Sequence, residues 1–111
     1  MPPGREDDAR AFYTGVLGLP ERAKPAALAA RGGCWFERGP LKVHLGVDRE
    51  FRPARKAHPA FLVTGLAEIV SICRQRGYPV HDDDPEGAPE GCARAYVSDP
   101  FENRIELIEP R

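Results

Sequence analysis

Apolar positions along this chain recur with two different periods, and the switches between them mark its elements. Over 5–17, Ala9, Phe12, Tyr13, Val16 and Leu17 recur at helical spacing. Glu6, Asp7 and Asp8 open that segment, where the helix dipole favours acids, and Gly18 and Pro20 end it. Phe12 and Tyr13 belong to the core stripe of this amphipathic helix. Residues 19–27 are a Pro- and Ala-rich connector with room for a short edge strand. Residues 28–37 read as a strand interrupted at Gly32-Gly33, where a bulge or a close backbone approach is expected. After the Gly39-Pro40 turn, 41–47 alternates without a fault. Leu41, Val43, Leu45 and Val47 share one face, and Lys42, His44 and Gly46 share the other.

The second half repeats the alternation of periods. Residues 48–57 form a charged connector carrying Arg49, Arg52, Arg55 and Lys56, read as solvated linker or as a lid supplying arginines. A strand at 58–63 puts His58, Ala60 and Leu62 opposite Phe61 and Val63. Leu66, Ile69, Val70 and Cys73 then mark a second helix, capped by Thr64 or Gly65 and ended by Gly77. A short strand begins at Tyr78. The acids Asp82, Asp83, Asp84, Glu86 and Glu90 lack the spacing of a calcium loop and read as solvated. In 92–98, Arg94, Tyr96 and Ser98 share one face. The last stretch opens with the Asp99-Pro100 turn, in which Asn103 tolerates positive φ. It runs into a strand with Ile105 and Leu107 on one side and Arg104, Glu106 and Ile108 on the other.

The two halves read as paired βαβββ modules, about 1–47 and 58–111, of one α+β domain. Each helix ends on a glycine with a proline two residues on, Gly18-Leu19-Pro20 and Gly77-Tyr78-Pro79. The counterpart of the 58–63 strand would fall at and before Met1-Pro2-Pro3-Gly4, which cannot be that strand. The first strand of module one is therefore expected to be missing from this chain, leaving an open edge that invites a second copy.

At 111 residues and a net charge of −1, the chain has neither a basic nucleic-acid surface nor an acidic tail. No apolar run approaches the roughly 20 residues that span a bilayer, and the N-terminus lacks an apolar signal region. A cytoplasmic protein without nucleic-acid or membrane partners is expected. Cys34, Cys73 and Cys92 are odd in number and lack zinc-type spacing, so they read as reduced thiols.

In order and spacing, several fragments are similar to the vicinal oxygen chelate superfamily, which includes glyoxalase I, fosfomycin-modifying thiol transferases, extradiol dioxygenases and bleomycin-resistance proteins. They are Phe12-Tyr13 with Val16-Leu17-Gly18-Leu19, Gly32-Gly33 with Trp35-Phe36, His44-Leu45-Gly46, His58-Pro59-Ala60-Phe61, and Asp99-Pro100-Phe101 with Asn103-Arg104-Ile105-Glu106-Leu107. Glu102 stands where that family commonly has a glycine. The resemblance implies two modules whose sheets form a cupped mixed sheet around a cleft. It also implies a divalent metal (Zn, Fe, Mn or Ni) held by His58 and Glu106, with His44, or Lys42 on the same face, as a further candidate. A further family ligand belongs to the missing first strand.

The alternation agrees on sidedness. If the aliphatic faces pack on helices, Lys42, His44, His58, Arg94, Tyr96, Arg104 and Glu106 turn the other way. Two readings follow. In the first, a metal held by His58 and Glu106 polarises a small substrate in lyase, isomerase, thiol-transfer or dioxygenase chemistry, Glu106 moves a proton, Arg94 or Arg104 neutralises an anionic group, and Trp35 or Tyr96 walls the site. In the second, a metal-free homodimer sequesters a small molecule, as in the bleomycin-resistance branch.

Overall fold

The computed structural model describes residues 1–81 and 87–111. The chain divides into two compact units, Met1–Arg52 and Pro53–Arg111. The division falls inside the charged connector.

The first unit starts with α1 (Glu6–Tyr13), which is shorter than the apolar stripe suggests; Thr14 keeps right-handed helical dihedrals, and from Gly15 the N–H groups of Gly15 and Leu17 reach back five residues, to the Arg10 and Phe12 carbonyls. Turns continue as far as Gly18, whose φ is +71°. A short strand β1 (Glu21–Arg22) follows, then the single helical turn α2 (Ala26–Ala29). The strand expected from residue 28 begins only at Cys34: Pro25 starts a helical turn, and Leu28–Ala30 stay within it or at its end. Strands β2 (Cys34–Arg38) and β3 (Leu41–Leu45) complete an antiparallel sheet in the order β1-β2-β3. The core of this unit is aromatic. Phe12 meets Tyr13 edge-on at 5.0 Å, and Tyr13 stacks on Phe36 at 5.3 Å. Phe12 and Phe36 are fully buried, and each such side chain stabilises the fold by about 1.5–3 kcal/mol.

Gly33 is the close backbone approach the Gly-Gly pair implied. Its φ is +85°, and a Cβ there would lie 2.1 Å from the Leu45 carbonyl oxygen. Its N–H donates to Glu6 Oε2 at 3.0 Å, tying β2 to the first turn of α1. That donated bond holds the Glu6 carboxyl below its ordinary range.

Ahead of α1 no strand forms among the described residues, as expected. Met1 nonetheless donates to the Gly46 carbonyl at 2.8 Å and accepts from the Asp48 N–H at 2.9 Å. That is the bonding of one residue in a parallel ladder, centred on Val47.

The second unit is a complete βαβββ module: β4 (Ala60–Leu62), α3 (Leu66–Arg76), β5 (Val80–His81), β6 (Cys92–Ser98) and β7 (Arg104–Pro110). Its sheet order is β4-β7-β6-β5, with β4 parallel to β7 and the other pairs antiparallel. Ala95, Val97, Ile105 and Leu107 form the buried face, together with Leu66, Val70 and Cys73 of α3. Gly77 ends α3 in the left-handed region, with the Tyr78 N–H returning to the Cys73 carbonyl at 2.8 Å. At the other end neither Thr64 nor Gly65 supplies a side-chain cap. Glu109 on β7 does: its carboxylate accepts from the N–H groups of Gly65 and Leu66 at 3.2 and 2.6 Å. The acid run at Asp82–Asp84 and Glu86 lies outside the described residues.

Asp99 is buried, and its carboxylate organises the β6–β7 turn. Oδ1 accepts from the N–H groups of Phe101 and Asn103, and Oδ2 accepts from the Asn103 amide, each at 2.8 Å. Positive φ falls on Glu102 (67°) and not on Asn103, because Asn103 is held in extended register by these bonds.

Three outcomes are expected. Glu102→Gly should stabilise the fold by roughly 0.5–1 kcal/mol in chemical denaturation, since a left-handed residue with a Cβ is strained. Gly33→Ala should destabilise by at least about 2 kcal/mol. Because the Glu6 carboxyl is lowered from 4.5 in the folded protein, its contribution is present above that value and lost as pH falls through the folded one. Glu6→Gln should therefore flatten the acid limb of stability measured below about pH 4.5, and equal slopes in the two proteins would refute the assignment.

Candidate functional site

Strand alternation and the parallel β4–β7 pairing together build a polar face on the second unit. The Glu106 N–H donates to the Pro59 carbonyl at 3.0 Å, which seats His58 beside Glu106 despite their separation in sequence. His58 Nε2 lies 2.9 Å from Glu106 Oε1, and His58 Nδ1 lies 2.8 Å from the Lys56 carbonyl oxygen. A carbonyl only accepts, so Nδ1 carries the hydrogen. Nε2 is then the nitrogen aimed at the carboxylate, and joining the two requires a proton, or a cation in its place. Both side chains are mostly buried, 23% and 13% exposed, so that linkage is shielded from bulk water.

The remaining groups on this face come from β6 and β7. Register places Tyr96 opposite Glu106 and Ser98 opposite Arg104. The Tyr96 ring meets His58 edge-on at 5.2 Å. The guanidinium carbons of Arg104 and Arg94 lie 4.3 and 5.0 Å from its centroid. Arg94 also reaches toward Glu106 Oε2 at 3.9 Å. Five of the eight expected site residues, His58, Arg94, Tyr96, Arg104 and Glu106, therefore gather as one cluster around a single ring.

Trp35, Lys42 and His44 belong to the first unit. Trp35 stacks flat on His44, with centroids 3.9 Å apart and planes 3° from parallel. His44 Nε2 is bonded to Glu37 Oε2 at 2.9 Å, and Lys42 stands opposite Glu37 in the β2–β3 register. The bond from His44, aided by the charges of Lys42 and Arg22, holds the Glu37 carboxyl below its usual range. Glu37 is a partner that the sequence reading passed over. Alternation on β2 was the available signal, since it puts Glu37 on the face of Trp35.

The internal repeat explains why His44 is not the counterpart of Glu106. Met1 lies five residues ahead of α1 and bonds around Val47, while Phe61 lies five residues ahead of α3 and pairs with Leu107. By that register Gly46 holds the place of Glu106, and His44 holds that of Arg104.

Could the His58–Glu106 pair hold a metal? Its donor types suit a divalent transition metal. A backbone carbonyl fixing Nδ1 is the usual orienting contact of a metal-binding histidine. The pair thus fits as two ligands, while among the described residues no group of three or more His, Cys, Asp and Glu side chains comes together. The connector arginines Arg49, Arg52 and Arg55 are exposed, and the connector meets the pair through the Lys56 carbonyl. Burial pushes the Cys34 and Cys73 thiols up, away from the reactive thiolate. A hollow of about 400 Å³ in the first unit is lined by Arg10, Glu21, Arg22 and Lys24, and Arg10 is paired there with Glu21 at 2.9 Å. Among the described residues no helix is long and apolar enough to cross a membrane.

No family model and no curated protein matches the chain. Solved structures do. A fosfomycin resistance protein, FosX, from Listeria monocytogenes is 15% identical with a TM-score of 0.74, the match covering 95% of this chain and 84% of that one. A glyoxalase/dioxygenase from Nostoc punctiforme is 21% identical with a TM-score of 0.71, covering 96% and 84%. These two carry the fold alone. A glyoxalase family protein from Bacillus anthracis is 45% identical with a TM-score of 0.88, over 100% of this chain and 88% of that one. At that identity across its whole length, and with the βαβββ module in place, the chain belongs to the glyoxalase family of the vicinal oxygen chelate superfamily.

Proposed function

We propose that the protein is a divalent-metal-dependent enzyme acting on a small molecule, with His58 and Glu106 as metal ligands. The observation that supports this reading is the His58 geometry: Nδ1 is committed to the Lys56 carbonyl, and Nε2 faces the Glu106 carboxylate at 2.9 Å in a mostly buried setting. When bound, a metal of this kind supplies Lewis acidity toward substrate oxygens. The chain's own groups do the rest. Glu106 has a second oxygen, Oε2, to take or return a proton, and Arg94 lies 3.9 Å from it. Tyr96 walls the face and keeps water from it. The proposed chemistry is of the lyase, isomerase, thiol-transfer or dioxygenase type, and one similar structure is named a glyoxalase/dioxygenase.

A second copy of the chain is the proposed source of further donors, because a catalytic metal normally has three protein ligands and this cluster offers two. In support, β4 is an edge strand of its sheet and Leu62 on it is 75% exposed. The alternative reading, a metal-free protein that sequesters a small molecule, draws its support from the same two-ligand count and from the aromatic and cationic walls around Tyr96.

Elemental analysis of the purified protein should find a transition metal near one per chain, and His58→Ala should lower metal affinity at least about tenfold. Unchanged retention in that variant would reject the ligand assignment. Ligand binding that survives a chelator, without turnover, would favour the sequestering protein. Sedimentation equilibrium at micromolar concentration should show a dimer, and a monomer would overturn the two-copy arrangement.

A further inference from the structure

The two arginines beside Tyr96 are not in the same state. Arg94 is engaged with Glu106 Oε2 at 3.9 Å, so its charge is partly answered within the cluster. Arg104 is half-buried and lies over the Tyr96 ring at 4.3 Å, yet among the described residues no carboxylate pairs with it. The nearby acids are committed elsewhere. Glu106 Oε1 is taken by His58, and Glu109 caps α3. A guanidinium held over an aromatic face keeps its charge and loses little hydrogen-bonding capacity, because the ring supports the plane and leaves the N–H edge free. The hydroxyl-bearing Ser98 stands opposite Arg104 in the β6–β7 register, on the same face.

Arg104 is two residues from Glu106 along β7, about 7 Å at strand spacing. A small substrate reacting at the His58–Glu106 pair would therefore present a group a few bonds away to a preoriented, unanswered cation. We infer that Arg104, with Ser98 beside it, is the recognition site for an oxyanion on the substrate, a carboxylate or a phosphonate. Tyr96 holds the guanidinium in place, and Arg94 positions Glu106 and does not bind the anion. This rests on the proposed location of the reacting centre at His58 and Glu106. The planar fork of a guanidinium matches two oxygens of either anion, so the substrate is a small acid and not a neutral or cationic molecule.

The test uses full-length protein and two probes, methylphosphonate and acetate, followed through the Arg Nε–H resonances by nuclear magnetic resonance. One arginine resonance, absent in Arg104→Gln, should shift saturably with at least one of the probes. Affinity should fall at least tenfold in Arg104→Gln and partly recover in Arg104→Lys. Arg111→Gln, which removes the same charge at the far end of β7, should bind as wild type. Preference for methylphosphonate assigns a tetrahedral oxyanion and preference for acetate a planar one. Equal binding by wild type and folded Arg104→Gln, or the same linear drift with chloride, would overturn the inference. Metal content separates this from the proposed function. Metal retained through His58 with Arg104-independent anion binding sinks the anion site alone. Arg104-dependent anion binding in a protein that takes up no metal sinks the metal reading alone.

Discussion

The polar cluster of the second unit depends on one backbone pairing, that of β4 laid parallel against β7. It is a short ladder, Ala60 to Leu62 against Glu106 to Ile108, extended by the bond from the Glu106 N–H to the Pro59 carbonyl. Parallel strands need a crossover, and α3 supplies it, so His58 and Glu106 meet because a helix lies between them in the chain. The same ladder brings Glu109 to the start of α3, where its carboxylate replaces the cap that Gly65 cannot offer. Helix, sheet and site are thus coupled through β7. One face of that strand buries Ile105 and Leu107, while the other carries Arg104 and Glu106.

Charge on this face is graded. Glu106 answers His58 through one oxygen and Arg94 through the other, and among the described residues Arg104 is supported by a ring and no carboxylate. Among the described residues the cluster sets one acid, Glu106, between His58 and two arginines. In the first unit, on the face of Trp35, His44 is stacked on that ring and bonded to Glu37.

The internal repeat is visible in structure at a finer grain than in sequence. Met1 takes the hydrogen bonds of one parallel-strand residue beside Val47, which aligns the two last strands. That alignment sets Gly46 against Glu106 and His44 against Arg104. Matching strands by alternation alone is blind to this, because a shift of two residues keeps every side chain on the same face. Glu102 shows a similar limit. A turn was evident from Asp99-Pro100, but which residue took positive φ was decided by three bonds to the buried Asp99 carboxylate.

Alternation and helical periodicity determined by themselves which residues share a face, where α1 and α3 run, and that His58, Arg94, Tyr96, Arg104 and Glu106 turn away from the core. These are local properties, written at spacings of two and three to four residues. Tertiary structure alone decided who meets whom: Glu37 with His44, Glu109 with the start of α3, Arg94 rather than Arg104 with Glu106. It also made a helical turn of Ala26–Ala29, taking in Leu28 and Ala29, which were expected to open the strand over 28–37. Such choices depend on register between segments far apart in the chain, and register is set by the sum of many pairings that no short stretch of sequence contains.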